Sequence, residues 1–268
     1  LPGQVQADRL ARDPEIAMTA TLDKLKIKLF TDGADKAQIA EMAKLSYVAG
    51  FTTNPSLLKK AGVKDYESYA RELVTVVPDR HISFEVISDD IEEMVAEARL
   101  ITTWGKNVYV KLPVINTKGE SLIEAIRLLS NDGVKINVTV VTTVDQARRA
   151  TSALAGGPGG CVSVFAGRLA DLGIDYVSLV ETAVAAARGT KQVEVIWAST
   201  REVWNVIEAD RMGVHIITAP ADILKKLPAL GTKTAEQLAL DGVKAFADDT
   251  RAAGLSLRMA GSSRTAAE

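Results

Sequence analysis

Apolar residues along this chain recur in two rhythms that take turns. Runs with a period of two, such as K-I-K-L-F-T at 26–31 and H-I-S-F-E-V at 81–86, read as strands. Between them, apolar residues three and four apart, such as Ile39, Met42 and Ala43, mark helices with one covered face. The same reading predicts strands at 50–53, 107–112, 135–140, 161–165, 194–198 and 215–218. Helices are predicted at 35–45, up to about 77 after a polar turn at 54–56, then at 89–104, 119–130, 143–154, 176–188, 199–211, 221–227 and 234–253. Asp35, Asp89 or Asp90, Thr143, and Ser199 or Thr200 stand where N-caps are needed.

Strict alternation of strand and helix implies parallel strands, and eight units in about 250 residues point to a (β/α)8 TIM barrel. The competing open doubly wound sheet usually begins with a glycine-rich phosphate turn, and D-G-A-D at 32–35 is not one. The predicted layout has a short N-terminal extension, an arm at 1–22 with a helix start at Asp13-Pro14-Glu15. The barrel with an additional C-terminal helix follows at 23–254, and a flexible tail at 255–268.

In such a barrel, reactive groups gather at the C-terminal ends of the strands. N-V-Y-V-K-L-P-V at 107–114 carries Lys111 near the end of an apolar strand that Pro113 closes. Burial there disfavours the ammonium and leaves a nucleophilic amine, as Schiff-base chemistry requires. The other predicted strands end in Asp32, Asn54, Glu85, Asn137 with Thr139, Ser163 with Phe165, and Ser199. Each has a plain structural use alone: a cap, an Asx turn before Pro55, or a lysine reaching for water. Together they make a nucleophile, two carboxylates and several hydroxyl-binding groups, a set suited to carbonyl chemistry on a polyol.

Composition narrows the partners. A net charge of −2 with 5% aromatic residues leaves no basic stripe interleaved with aromatics, so no nucleic acid is expected. The single cysteine, Cys161, excludes an internal disulfide. His81 and His215, without H-E-x-x-H or C-x-x-C spacing, predict no metal site and are expected to pack rather than catalyse. With no apolar run of 18 residues and no signal-like start, no membrane partner and a cytoplasmic location are expected.

Five segments, in order, resemble one family. G-F-T-T-N-P-S-L at 50–57 closely resembles the transaldolase signature G-x-T-T-N-P-S-L, and V-K-L-P at 110–113 resembles its lysine strand. G-V-K-I-N-V-T at 133–139 is similar to the family's N-x-T strand, S-V-F-A-G-R at 163–168 to S-P-F-V-G-R, and A-S-T-R at 198–201 to A-S-F-R. The resemblance covers about 22–250 and implies transfer of a dihydroxyacetone unit between sugar phosphates, with no metal and no other cofactor. It implies that Lys111 forms the Schiff base, Asp32 takes the C4 hydroxyl proton, and Glu85 and Thr139 hold a proton-shuttling water. Asn54, Asn137 and Ser163 would bind hydroxyls, and Phe165 would border the cavity. Arg168, Ser199 and Arg201 would hold the phosphate, helped by a helix N-terminus beginning near Ser199.

The alternative within the family is a class I aldolase that cleaves a fructose-6-phosphate-like ketose. Those enzymes carry Gln where this chain has Glu85 and Tyr where it has Phe165, so both positions are of the transferase type. Val164, Ala166 and Thr200 depart from the family pattern. Trp197 is expected near the pocket, and together these four residues would reshape the site for a longer-chain or sulfonated sugar. The C-terminal helix is a candidate for packing on a neighbour, so a homo-oligomer is expected.

Overall fold

The computed structural model describes residues 20–190 and 192–257. The helix start expected at Asp13-Pro14-Glu15, and most of the expected arm and tail, lie outside these residues. Among the described residues, eight parallel strands close into a barrel in sequence order, as the alternation predicts. They are β1 (Lys28–Asp32), β2 (Val48–Thr52), β3 (His81–Glu85), β4 (Val108–Pro113), β5 (Ile136–Val141), β6 (Gly160–Val164), β7 (Val193–Trp197) and β8 (Ile216–Ala219), with β8 pairing back onto β1.

The connections carry α1 (Lys36–Ala43), α2 (Pro55–Lys60), α3 (Tyr66–Val76), α4 (Ile91–Thr102), α5 (Ile123–Asn131) and α6 (Val144–Leu154). They continue with α7 (Ala166–Asp171), α8 (Val177–Arg188), α9 (Val203–Arg211) and α10 (Ala221–Leu224). Asp23–Leu227 forms one compact unit that holds the barrel. The described part of a second unit, 20–22 and 228–257, carries α11 (Ala235–Ala252), opened by a capping box between Thr234 and Gln237.

Strand parity divides the side chains. Phe30, Tyr109, Cys161, Ile196 and Ile216 meet inside the barrel and form one packed layer. Their sequence neighbours on the other face, such as Val110, Val162 and Val195, are fully buried beneath the helices. α4 packs on β4 and α5 on β5, burying Met94, Ala98, Ile126 and Leu129. Each fully buried Leu, Ile or Met contributes about 1.5–3 kcal/mol. A polar layer occupies the inward positions beyond the apolar one, towards the strand C-termini.

Several boundaries differ from the prediction, each for a local reason. Asn54 and Pro55 do not form a turn. Pro55 opens α2, and Asn54 caps it by accepting from the Leu57 amide at 3.0 Å. The helix expected from 119 starts at Ile123, because the preceding loop folds back through a bridge between Ile115 and Ser121. The helix expected from Ser199 or Thr200 starts at Val203, with Glu202 at its N-cap. The six-residue α7 directly after β6 is not foreshadowed by the periodicity.

Candidate active site

Backbone register brings the central groups together. Glu85 lies opposite Lys111 across β3 and β4, and Lys111 lies opposite Asn137 across β4 and β5. Lys111 is only 7% exposed. Its Nζ donates to the Thr53 carbonyl at 2.8 Å and stands 3.1 Å from Glu85 Oε2. The amine therefore sits beside one of the two carboxylates that the strand ends were expected to supply. A proton acceptor is within reach.

Asp32 closes β1 beside this pair. The Thr52 hydroxyl donates to Asp32 Oδ1 at 2.8 Å, and Thr218 Oγ1 lies 2.6 Å from Thr52 Oγ1. Thr52 has one proton, so with Asp32 ionised Thr218 must be the donor to Thr52. Burial holds the Asp32 carboxyl above the usual carboxylate range. Lys111 and the Thr52 hydrogen bond pull the other way, and Glu85 adds to the rise. A carboxyl tuned in this way suits a group that takes and returns a proton.

β5 and β6 supply an adjoining wall. Ser163 donates to Asn137 Oδ1 at 2.7 Å, and Asn137 Nδ2 donates to Ser83 Oγ at 3.1 Å. The Thr139 hydroxyl is buried with no protein hydrogen-bond partner. The next residue, Val140, has φ 61° at an irregularity in the β5–β6 register. A β-branched residue in the left-handed region is strained, and such strain tends to gather at functional sites.

The expected anion-binding residues form a second group on the connections after β6 and β7. The Arg168 guanidinium lies over the Phe165 ring at 5.2 Å. Arg201 grips both carboxylate oxygens of Asp171 through Nε and Nη2, at 2.6–3.1 Å. This hydrogen bonding holds Asp171 below the usual carboxylate range, and Arg168 lowers it further, so both guanidinium groups act on one carboxylate. Ser199 has φ 64°, and a Cβ on Gly167 would fall 1.7 Å from its carbonyl oxygen. The two connections thus meet backbone to backbone, which only glycine permits at 167.

Ser199 does not begin a helix, because three further residues precede α9. Trp197 does not face the cavity. Its neighbour Ile196 points inward, so Trp197 turns to the helix layer and meets Tyr176 edge-on at 5.0 Å. There it borders a separate cleft of about 350 Å3, shared with Arg201 and Asp171. Thr200, a departure from the family pattern, ties its loop to β8 by donating to the Thr218 carbonyl at 2.7 Å.

Thr52, Thr53, Ser83, Gly167, Asp171 and Thr218 also shape the site, beyond the residues expected from the sequence. Ser83 and Thr218 carry a usable signal, since each lies two residues from an inward-facing neighbour on its own strand. The Thr53 carbonyl and the Asp171 carboxylate carry none. Their roles arise from chain crossings that no local pattern encodes.

Comparison with known proteins identifies the family. Residues 29–257 match the family described as Transaldolase/Fructose-6-phosphate aldolase. The chain is 36% identical over 232 residues to a probable transaldolase of Thermoanaerobacter sp. (strain X514), covering 86% of this chain and 100% of that one. It is 40% identical over 203 residues to a probable transaldolase of Methanococcus maripaludis (strain C5), covering 75% and 89%. Among solved structures, a dihydrodipicolinate synthase superposes with TM-score 0.55 at 10% identity, over 75% of this chain and 73% of that chain. A HpcH/Hpal aldolase/citrate lyase family protein from Burkholderia cenocepacia J2315 gives 0.53 at 15% identity, over 82% and 95%. Those two structures share the fold alone. The extent of the family match, and relatives of this identity across most of the chain, make the assignment: the chain belongs to the transaldolase/fructose-6-phosphate aldolase family.

Proposed function

We propose that this chain transfers a dihydroxyacetone unit from a ketose phosphate to an aldose acceptor through a Schiff base on Lys111. The observation that carries the reading is the position of Lys111 Nζ, 2.8 Å from the Thr53 carbonyl and 3.1 Å from Glu85, with the raised carboxyl of Asp32 alongside. Glu85 takes a proton from the ammonium, and the freed amine attacks the ketose C2 carbonyl. Loss of water from the carbinolamine leaves the iminium, with Glu85 and the unpartnered Thr139 hydroxyl holding the water that carries protons. Asp32 then removes the C4 hydroxyl proton. The C3–C4 bond breaks, an aldehyde departs, and the electron pair flows into the iminium to give an enamine. Addition of C3 to an acceptor aldehyde reverses these steps, and Asp32 returns its proton to the new hydroxyl.

Arg168, Ser199 and Arg201 are assigned to the distal phosphate, which two guanidinium groups on neighbouring connections suit. Phe165 favours transfer over simple cleavage. A phenyl ring has no proton to give the enamine carbon, so the three-carbon unit waits for an acceptor. Borohydride reduction in the presence of a ketose phosphate tests the mechanism. A reduced three-carbon adduct is expected on Lys111 by peptide mass mapping, and an adduct on another lysine, or on none, removes the reading.

A further inference from the structure

We infer that His81 is a positioning residue, which through Ser83 fixes the amide of Asn137 and so sets the hydrogen-bonding polarity of the cavity wall at Ser163. The inference rests on the proposed contact of Asn137 and Ser163 with the substrate. His81 lies at the start of β3, with its ring stacked on Tyr109 (centroids 3.7 Å apart, 8° between planes) and edge-on to Phe30 at 4.8 Å. Clamped there, its Nε2 stands 2.7 Å from Ser83 Oγ. Ser83 Oγ accepts from Asn137 Nδ2 at 3.1 Å, and Asn137 Oδ1 accepts from Ser163 at 2.7 Å. One chain of hydrogen bonds therefore runs from the apolar layer to the wall beside Lys111.

A hydroxyl has a single proton, so the chain has a direction. With Asn137 donating to Ser83, the Ser83 proton is assigned to His81 Nε2, which leaves the imidazole's own proton on Nδ1. Burial, with Lys135 and Lys28 nearby, keeps the ring neutral, its pKa lowered to about 3. In this arrangement the Ser163 proton is committed to Asn137, and Ser163 Oγ offers only lone pairs to a substrate hydroxyl. With the other tautomer Ser83 accepts from His81, and its single proton, turned to Asn137, reverses the remaining links. Asn137 then turns its Nδ2 to Ser163, and Ser163 becomes a donor to the cavity. A histidine with no part in the chemistry thus selects which hydroxyl pattern the wall accepts.

The chain contains only two histidines, so nitrogen-15 NMR of the tag-free protein can read the tautomer directly, with His215→Gln to assign the signals. His81 is expected with Nδ1 protonated and Nε2 unprotonated, and Ser83→Ala should move the Nε2 signal. In kinetics, His81→Leu and Ser83→Ala should each raise KM for the donor ketose by about tenfold, the scale of one lost buried hydrogen bond. The acceptor KM should hold. His81→Gln, which can return an acceptor near the Nε2 position, should stay close to the parent, and the double variant should be no worse than His81→Leu alone. A protonated Nε2 overturns the inference whatever the kinetics. So does an unchanged donor KM in both variants when Ser163→Ala raises it. If Ser163→Ala and Asn137→Ala also leave donor KM unchanged, the proposed substrate contact has failed, and the inferred effect on the wall falls with it. Ser83→Ala, which removes one oxygen, keeps the test open if His81→Leu does not fold.

Discussion

Glu85 and Lys111 face each other because β3 and β4 pair at those two residues, and the resulting ion pair spans 3.1 Å. The carboxylate is held by strand register rather than by the reach of a long side chain. Glu85→Gln keeps the shape and removes the proton acceptor. We expect kcat to fall by about a hundredfold or more, within the range that a positioned acid–base group supplies. Borohydride trapping at Lys111 should slow in parallel while the melting curve stays near the parent's. Trapping at the parental rate would mean that another group deprotonates the amine.

Asp32 sets a pH dependence whose sign follows from its raised pKa. The folded state holds the Asp32 proton more tightly than the unfolded chain does. The associated stability is therefore fully present below the ordinary carboxylate value of about 3.9, declines as pH rises through the folded value, and is level above it. Asp32→Asn should accordingly melt higher than the parent at neutral pH, with the difference vanishing as the medium is acidified through that window. Activity should move oppositely. The variant should lose turnover, and parental kcat/KM should fall on the acid side as the base becomes protonated. A variant that melts no higher at neutral pH would show that Asp32 is well solvated in the fold.

Gly167 and Ser199 make the sharpest steric test. An alanine methyl at 167 would need the Ser199 carbonyl, 1.7 Å away, to move. Overpacking of this kind costs about 1–3 kcal/mol, visible as a lower melting temperature. Displacing Ser199 also shifts the loop that carries Arg201. Gly167→Ala should therefore raise KM for phosphorylated ketoses by about tenfold, the scale of one charge-assisted contact, and raise it less for unphosphorylated ones. Equal damage to both substrate types would detach this loop from phosphate recognition.

The role proposed for Phe165 separates transfer from cleavage. Phe165→Tyr adds one hydroxyl two residues beyond the inward-facing Ser163. The phenol can protonate the enamine carbon, so release of free dihydroxyacetone without an acceptor should increase while transfer to an aldose phosphate declines. If the parent already cleaves its ketose at full rate with no acceptor, the transferase reading is wrong.

The barrel itself was readable in the chain, because strand and helix periodicity are local properties and their strict alternation admits few topologies. Parity also told that Lys111 shares a strand face with Tyr109, and Asn137 with Thr139, before any contact was known. Register was out of reach. That Glu85 meets Lys111, and that Asn137 lies between Ser83 and Ser163, depends on how far neighbouring strands slide as the barrel closes. Trp197 was misplaced for a reason of parity, not register. Its position in the sequence lies beside the site, yet strand parity turns it to the helix layer. Asp171, Gly167 and the Thr53 carbonyl were invisible for a different reason. Each acts through a partner at least 30 residues away, and only the closed barrel sets those separations in space.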